Sequence, residues 1–282
     1  MQTVTSIKEL RERLQAERRA GKRIGLVPTM GNLHQGHLRL VESAVKNADF
    51  VVASIFVNPL QFGPTEDLER YPRTLEQDQE QLQAFGCDLL FAPQEQEIYP
   101  QGRDGQSFVE VPGISDLYCG STRPGHFRGV TTIVNKLFNL IQPDVAVFGR
   151  KDYQQLHVIN RMVEDLSMPV SLIGVGTERA DSGLALSSRN GYLTAEELAI
   201  APALYATLKT LARALEEGAS DYPALIEQAQ NDLEKAGFMR DYIHILRRSD
   251  MLAANADDRE LVIIAAAYLG AARLIDNIEV SL

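Results

Sequence analysis

The sequence has no tryptophan and only two cysteines, Cys87 and Cys119, which lie far apart. They form no metal-ligand spacing, and Cys87 adjoins an apolar strand-like segment, which is typical of a buried reduced thiol. Basic residues are also in deficit: 28 Lys and Arg stand against 38 Asp and Glu, a net charge of -10. Because phosphate backbones and anionic membranes attract positive surfaces, this balance disfavours a general nucleic-acid or membrane binder.

Long apolar segments are lacking as well. The N-terminal stretch has no apolar core of the kind found in signal peptides, and no run approaches the length of a membrane span. We therefore expect a cytoplasmic protein in a reducing compartment, with neither a nucleic-acid nor a membrane partner. A chain of 282 residues that is 45% hydrophobic can still bury a substantial core, in one large domain or two smaller ones.

Strand-like and helix-like segments alternate through the first part of the chain. The β-branched apolar run 50–58 is typical of a strand covered on both faces, and amphipathic segments surround it. Repetition of this order predicts an α/β fold, a Rossmann-like open parallel sheet with right-handed crossovers.

The pattern changes after Gly176. Two helical stretches, 195–217 and 222–236, precede three strand-like segments joined by short connections. This order predicts a smaller C-terminal α+β domain. We expect residues 1–176 to form the larger, Rossmann-like domain and residues 177–282 the smaller one.

Polar loops that follow the predicted strands contain the candidate functional residues, because parallel α/β sheets bind ligands at the carboxyl ends of their strands. One loop leads through Gly31 to His34, Gly36 and His37 at the start of a helix. A helix N-terminus attracts anions, glycines admit a phosphate, and histidines can donate hydrogen bonds to it. Structural capping or half of a metal site are the alternatives, but no Cys or carboxylate adjoins the histidines, which disfavours a metal.

Four other segments place polar residues in comparable positions. Asn58 and Gln61 follow a strand, where an amide pair suits a hydroxylated substrate, although Asn-Pro is also a plain turn signal. The other three are basic or hydroxylic and suit an anion, although solvated charge and helix capping are the alternatives. They comprise Arg123, His126, Arg128 and Lys136; Gly149, Arg150, Lys151 and Asp152, with Gln155 one turn on; and Ser187, Ser188, Arg189 and Asn190.

No Ser-His-Asp order, activated cysteine, Walker A sequence or G-x-G-x-x-G fingerprint stands out. The clusters therefore indicate phosphate binding without a covalent nucleophile, as in phosphoryl or nucleotidyl transfer. The missing glycine fingerprint disfavours an NAD-dependent oxidoreductase. A nucleotidyltransferase acting on another substrate and a catalytically silent nucleotide-binding protein remain alternatives.

Several longer strings resemble those of one family. His34-Gln35-Gly36-His37 is similar to the HIGH signature of nucleotidyltransferases, and "LGAARLIDNIEV" resembles the C-terminal strands of the pantoate–β-alanine ligases, also called pantothenate synthetases. The remaining strings follow that family's order: "PTMGNLHQGH", "SIFVNPLQFG", "YPRT", "RPGHFRGV", "KDYQQL" and "LALSSRNGYLT". The resemblance implies ATP-dependent condensation of pantoate with β-alanine to pantothenate, through a pantoyl adenylate, with release of pyrophosphate and AMP.

The resemblance also implies residue roles. His37, His34 and Lys151 would be catalytic, and Gln61 and Gln155 would bind pantoate with help from Asn58. Gln61 would also contact β-alanine. Mg²⁺ would accompany the nucleotide, with Asp78 as a candidate ligand, and the protein would be a homodimer whose smaller domain acts as a lid. ATP would contact Met30, Gly31, Asn32, Leu33, His34, Gln35, Gly36, His37, Gly149, Arg150, Lys151, Asp152, Glu178, Leu186, Ser187, Ser188 and Arg189.

Three positions depart from the family's common strings. Arg150 stands where an acidic residue is common, which is compatible with function if that position contributes main chain. Cys119 also replaces a common acid. Ser182 stands where an aspartate is common, and Asp181 lies one place earlier. We expect the last two changes to remove or displace a carboxylate.

Overall fold

The computed structural model describes residues 1–64 and 66–282. They form two compact units, one of residues 1–150 with 154–176 and the other of residues 151–153 with 177–282. A single boundary after residue 176 would assign Lys151–Tyr153 to the first unit, but these residues group with the second.

A parallel sheet forms the centre of the first unit. Its strands are β1 (Gln2–Val4), β2 (Ile24–Thr29), β3 (Phe50–Ile55), β4 (Leu89–Phe91), β5 (Val145–Gly149) and β6 (Ser171–Val175). They lie in the order β1-β4-β3-β2-β5-β6, and each neighbouring pair is parallel. This sheet confirms the predicted Rossmann-like α/β class; the short strand β1 adds to the predicted strands.

Helices connect these strands: α1 (Ile7–Arg19), α2 (Gln35–Asn47), α3 (Leu75–Ala84), α4 (Glu95–Ile98), α5 (Cys119–Thr122), α6 (His126–Ile141) and α7 (Tyr153–Asp165). Successive side chains of a strand face opposite sides of the sheet. Val51 and Val52 of β3 are 1% and 0% exposed, so both faces of this strand are covered. The apolar β3 sequence is explained by this double burial.

The second unit contains α8 (Ala195–Ile200), α9 (Ala203–Glu216) and α10 (Tyr222–Lys235), followed by β7 (Met239–Arg247), β8 (Glu260–Leu269) and β9 (Ala272–Ser281). These strands form an antiparallel sheet in the order β7-β8-β9. The predicted α+β class is confirmed, and the predicted helical stretch 195–217 is divided into α8 and α9. Pro202 lacks the N–H that would continue the helical ladder to Leu198, so α8 ends and α9 begins after it.

Among the described residues, the stretch Ala195–Glu216 has the length and composition of a candidate membrane span, which the sequence pattern did not predict. Four of its leucines, Leu204, Leu208, Leu211 and Leu215, belong to the core of the second unit and are each at most 3% exposed, whereas Leu198 is 41% exposed. Packing within this core accounts for the apolar face of α9.

Candidate active site

The order of the parallel strands places three candidate segments at one edge of the first unit. The chain runs from β2 to β3 and β4 on one side and returns to β5 on the other, so β2 and β5 flank a topological switch point. Open α/β sheets bind ligands at such points, beyond the carboxyl ends of the strands. The carboxyl ends of β3, β2 and β5 lead to Asn58–Gln61, Met30–His37 and Gly149–Arg150.

Two histidines cap the N-terminus of α2. His34 is the N-cap residue, and its Nδ1 accepts the Gly36 N–H at 3.1 Å. His37 reaches back, and its Nδ1 lies 3.3 Å from the His34 nitrogen that donates to it. The ring centres are 4.1 Å apart. This reciprocal cap explains why α2 begins at Gln35, between the two histidines.

The cap determines the tautomer of both rings. Because each Nδ1 accepts a backbone N–H, each neutral imidazole carries its proton on Nε2. His34 and His37 therefore present Nε2–H donors at the positive end of a helix dipole. This arrangement combines the predicted structural capping with a capacity to bind phosphate oxygens.

The loop between β2 and α2 is held by a buried carboxylate. Asp78 is 1% exposed, and its oxygens accept the Asn32 and Leu33 N–H groups at 2.9 and 2.8 Å. The Thr74 hydroxyl donates to the same carboxylate. A Cβ on Gly31, where φ is +82°, would lie 3.1 Å from Asp78 Oδ2. These bonds engage both oxygens and show that Asp78 anchors the loop, while its expected role as a Mg²⁺ ligand stays a prediction.

Asn58 orients Gln61. The Asn58 carboxamide is 1% exposed, and its Nδ2 donates to Gln61 Oε1 at 3.1 Å and to the Gly129 carbonyl at 3.0 Å. Its Oδ1 accepts the Tyr99 hydroxyl at 2.7 Å and the Leu60 N–H at 3.3 Å. Protein groups occupy both ends of this amide, so Asn58 positions Gln61, while its expected contact with pantoate stays a prediction.

The Gln61 side chain is half-buried. Its Nε2 lies 3.0 Å from Met30 Sδ, in the loop that follows β2. Gln61, which is predicted to bind pantoate and β-alanine, is thus in direct contact with Met30, which is predicted to bind ATP. The structure brings the Gln61 and Met30 segments together as the sequence predicts.

The basic group after residue 122 separates in the structure. Arg128 and Lys136 contact aromatic rings, with Arg128 Cζ 4.8 Å from the Phe108 ring centre and Lys136 Nζ 5.2 Å from that of Tyr99. Burial lowers the pKa of Lys136. These two cations therefore lie against aromatic rings, an arrangement that neither the predicted anion site nor the solvated-charge alternative included.

Neighbouring glutamines at the start of α7 differ in environment. Gln154 is 5% exposed, accepts the Cys119 N–H at 3.1 Å, and donates to the Ile114 and Leu117 carbonyls at 2.8 Å. Gln155, the predicted pantoate ligand, is partly exposed. Gln154 thus fixes the segment around Cys119, where the common acid is absent.

At the end of β5, Arg150 contributes its main chain to the sheet. Its N–H donates to the Val175 carbonyl at 2.7 Å, and its Nε donates to the Gly174 carbonyl at 3.2 Å. Gly149 is the last residue of the strand. The reversal of charge at Arg150 therefore falls on an exposed side chain that lies along β6.

Within the second unit, two predicted phosphate ligands line one small cavity. Lys151 and Ser187 lie on its wall with Asn190, Tyr205 and Asp276. The Lys151 carbonyl accepts the Asn277 side-chain N–H at 2.8 Å. Lys151 is thereby tied to β9, although it follows β5 directly in the chain.

The loop that contains the remaining ATP candidates is short and ordered by its own hydrogen bonds. Leu186 N–H donates to the Glu178 carbonyl at 2.9 Å, and Ser187 Oγ caps a 3-10 turn by accepting the Arg189 N–H at 3.2 Å. Ser188 lies in that turn, and Asp152 is partly exposed. The capping alternative for this loop is therefore observed at Ser187.

Arg179 makes a bidentate ion pair with the buried Asp276, at 2.6 and 2.8 Å. Its guanidinium carbon also lies 3.4 Å from the Tyr205 ring centre. Asp181 and Ser182 are exposed. The displaced acid therefore faces solvent, and Asp276 provides the carboxylate for Arg179.

Sequence reasoning missed Tyr99, Thr74 and Asp276. Tyr99 and Asp276 bond to side chains far away in sequence, those of Asn58 and Arg179, whereas Thr74 bonds to Asp78 four positions further on. Only Thr74 had a local signal, because it lies in the quoted string "YPRT" beside Asp78. Nothing in the neighbourhood of Tyr99 or Asp276 distinguishes them from other core residues.

Comparisons with known proteins agree on one family. A family model described as pantoate-beta-alanine ligase matches residues 2–279. Pantothenate synthetases of Ectopseudomonas mendocina (strain ymp) and Pseudomonas fluorescens (strain Pf-5) are each 58% identical over 282 residues, covering 100% of this chain and 99% of the relative.

Two solved structures are similar over the whole fold. The pantoate–β-alanine ligase of Thermus thermophilus has a TM-score of 0.94 at 46% identity and covers 100% of both chains. The pantoate–β-alanine ligase of Francisella tularensis, described as complexed with beta-gamma ATP and β-alanine, has a TM-score of 0.84 at 35% identity. It covers 99% of this chain and 97% of its own.

Proposed function

Because this chain belongs to the pantoate–β-alanine ligase family, a family of pantothenate biosynthesis, we propose that it joins pantoate to β-alanine in two steps through an adenylate. In the first step, a pantoate carboxylate oxygen attacks the α-phosphorus of ATP, and pyrophosphate leaves. In the second, the β-alanine amine attacks the activated acyl carbon, the amine loses a proton, and AMP leaves with the former carboxylate oxygen. A carboxylate is a poor acyl donor, and adenylation supplies its leaving group.

The double histidine cap is the observation that carries this proposal. Both Nε2–H groups stand at the N-terminus of α2, beyond the carboxyl end of β2. Negative charge grows on the leaving pyrophosphate, and preorganised donors stabilise such charge without reorganising. We assign His34 and His37 to the ATP phosphates, with His37 as the proton donor.

The remaining ATP contacts are proposed by position. In the first unit, Gly31 and Gly36 admit the phosphates, while Met30, Asn32, Leu33 and Gln35 surround the nucleotide. In the second unit, Lys151, Ser187, Ser188 and Arg189 bind phosphate oxygens, Asp152 accepts a ribose hydroxyl, and Glu178 and Leu186 contribute main chain. Gly149 and Arg150 contact the nucleotide through backbone.

Gln61 and Gln155 are assigned to pantoate, whose hydroxyls and carboxylate match their amides, and Gln61 is assigned to β-alanine as well. The structure of the Francisella tularensis relative, complexed with beta-gamma ATP and β-alanine, supports two of these three substrates. A homodimer, a lid role for the smaller domain and a cytoplasmic location remain predictions.

We propose that Mg²⁺ enters as part of its complex with ATP. Among residues 1–64 and 66–282, no group of three His, Cys, Asp or Glu residues could hold a metal ion, and Asp78 is engaged by backbone N–H groups. Phosphate oxygens and water are the ligands that Mg²⁺ prefers in such sites. The protein would then bind the phosphates rather than the metal.

One assay tests the proposal. Purified protein is mixed with ATP, Mg²⁺ and pantoate, and pyrophosphate release is followed with and without β-alanine. We expect pyrophosphate release to require pantoate, and AMP and pantothenate to accumulate over many turnovers only when β-alanine is present. Pyrophosphate release at the same rate with and without pantoate would refute the proposal.

A further inference from the structure

The backbone carbonyl of Gln61 accepts two hydrogen bonds from side chains that the reaction does not use. His126 Nδ1 lies 2.8 Å from this oxygen, and Arg123 Nη2 lies 3.2 Å from it. Both residues belong to the basic group that the sequence marked as a candidate anion site. The structure directs them at the protein backbone.

Glu66 neutralises Arg123. The guanidinium makes a bidentate pair with this carboxylate, with Nε to Oε1 at 2.8 Å and Nη2 to Oε2 at 2.7 Å. The Arg123 and Glu66 side chains are only 16% and 22% exposed. A charge already paired in this way is a weak ligand for a substrate anion, but its rigid fork is a good positioning element.

The contacts of His126 define its tautomer. A carbonyl oxygen can only accept a hydrogen bond, so His126 Nδ1 carries the proton and donates it in a hydrogen bond to the Gln61 carbonyl. His126 Nε2 then accepts from Arg123 Nη1 at 3.0 Å. The ring is thus a neutral bridge between the Arg123–Glu66 pair and the Gln61 carbonyl.

Helix α6 packs closely against the same turn. His126 is its first residue, and Gly129 follows one turn later. A Cβ on Gly129 would lie 2.2 Å from the Leu60 carbonyl oxygen, so only glycine permits this approach. The Asn58 bonds to Gly129 and to Gln61 Oε1 complete the contact.

We propose that Glu66, Arg123 and His126 form a brace that fixes the Gln61 main chain and thereby sets the affinity for pantoate. The brace rests on the proposed function, because Gln61 is its pantoate ligand. Asn58 aligns the Gln61 amide, and the brace aligns the backbone that carries it. The three residues are positioning residues that touch no substrate.

The test uses the first half-reaction alone: exchange of labelled pyrophosphate into ATP, driven by pantoate without β-alanine. His126→Ala should raise the KM for pantoate about 10-fold, the equivalent of one hydrogen bond, and change the KM for ATP less than about 2-fold. His126→Asn places an amide N–H near the position of Nδ1 and should restore most of the affinity. Arg128→Ala, which removes an exposed cation from the same helix, is the matched control and should leave both constants unchanged.

A double-mutant cycle shows whether His126 acts through Gln61. In a Gln61→Ala background, His126→Ala should add less than about 2-fold to the KM for pantoate. The same 10-fold factor in that background would overturn the brace, as would a defect that appears only when β-alanine is varied. Glu66→Gln, which weakens the hold on Arg123, should raise the KM for pantoate by a smaller factor and provides the test if His126→Ala does not fold.

Measurements on the wild-type protein distinguish a failure of the brace from a failure of the proposed function. If it exchanges pyrophosphate in response to pantoate and folded His126→Ala keeps the wild-type KM, the brace alone is wrong. If wild-type protein shows no pantoate-dependent exchange, the proposed function fails and the brace fails with it.

Discussion

His34 and His37 cap one helix jointly: the Nδ1 of His34 accepts the Gly36 N–H, and the Nδ1 of His37 accepts the His34 N–H. Each ring therefore has a structural nitrogen, Nδ1, and a second nitrogen, Nε2, which the proposed function assigns to the ATP phosphates. The two roles can be separated by substitutions that retain one and remove the other.

His34→Asn should separate them. Asparagine is a strong N-cap residue, so α2 should keep its stability, while the Nε2–H donor is lost. We expect thermal unfolding close to wild type and pantoate-dependent pyrophosphate release reduced by roughly 10²–10³. His34→Ala should lose the same activity and in addition about 1 kcal/mol of stability. Wild-type rates in His34→Asn would show that the ring only caps the helix.

Asp78→Asn should weaken ATP binding through the Met30–Leu33 loop. An amide cannot accept from both Asn32 and Leu33, so one N–H loses its partner at a cost of about 1–3 kcal/mol in unfolding free energy. We expect Asp78→Asn to raise the KM for ATP, and excess Mg²⁺ should not return it to the wild-type value. Thr74→Val should raise the KM for ATP by a smaller factor. Recovery at high Mg²⁺ would instead indicate that Asp78 is a metal ligand.

The adjacent residues Gln154 and Gln155 offer a matched pair. Gln154→Ala removes three buried hydrogen bonds and should lower the unfolding free energy by about 1–3 kcal/mol. Gln155→Ala should leave stability nearly unchanged and raise the KM for pantoate about 10-fold. Chemical denaturation and steady-state kinetics on both variants decide this, and a stable Gln155→Ala with wild-type pantoate affinity would reject the assignment.

Burial lowers the pKa of His244, on β7, from 6.5, although Asp241 opposes the shift. The unfolded chain then binds more protons than the folded one between pH 6.5 and the lowered pKa. Unfolding free energy should therefore fall as pH falls through this window, with a slope below the roughly 1.4 kcal/mol per pH unit of one full proton. Urea titrations should show a flatter pH profile for His244→Gln; an identical profile would exclude this histidine as the cause.

The parts of this account that the sequence predicts are local in the chain. The run in β3 and the loop with Gly31, His34 and Gly36 have their signals within a few residues, so the sheet and the place of this loop at the start of α2 could both be predicted. Asp78 accepts a hydrogen bond from Asn32, 46 positions away, and Tyr99 donates one to Asn58, 41 positions away. Such partners depend on how the elements pack, which periodicity does not specify.

Charged residues are the least predictable part of this chain. Arg179 pairs with Asp276 across 97 positions, while the nearer Asp181 is exposed. Arg123 and His126 are basic residues beside a helix start, yet they hold a carbonyl rather than an anion. A charged side chain can form equally good ion pairs or hydrogen bonds with many residues of the chain. Only the fold determines which of these residues lies beside it.

If pantoate attacks the α-phosphorus of ATP, one carboxylate oxygen of pantoate ends in AMP, and the fate of that oxygen tests the proposed reaction. Pantoate labelled with ¹⁸O in its carboxylate is converted with ATP and β-alanine, and the products are analysed by mass spectrometry. We expect AMP with one ¹⁸O atom and unlabelled pyrophosphate. Unlabelled AMP, or ADP with labelled phosphate, would contradict it.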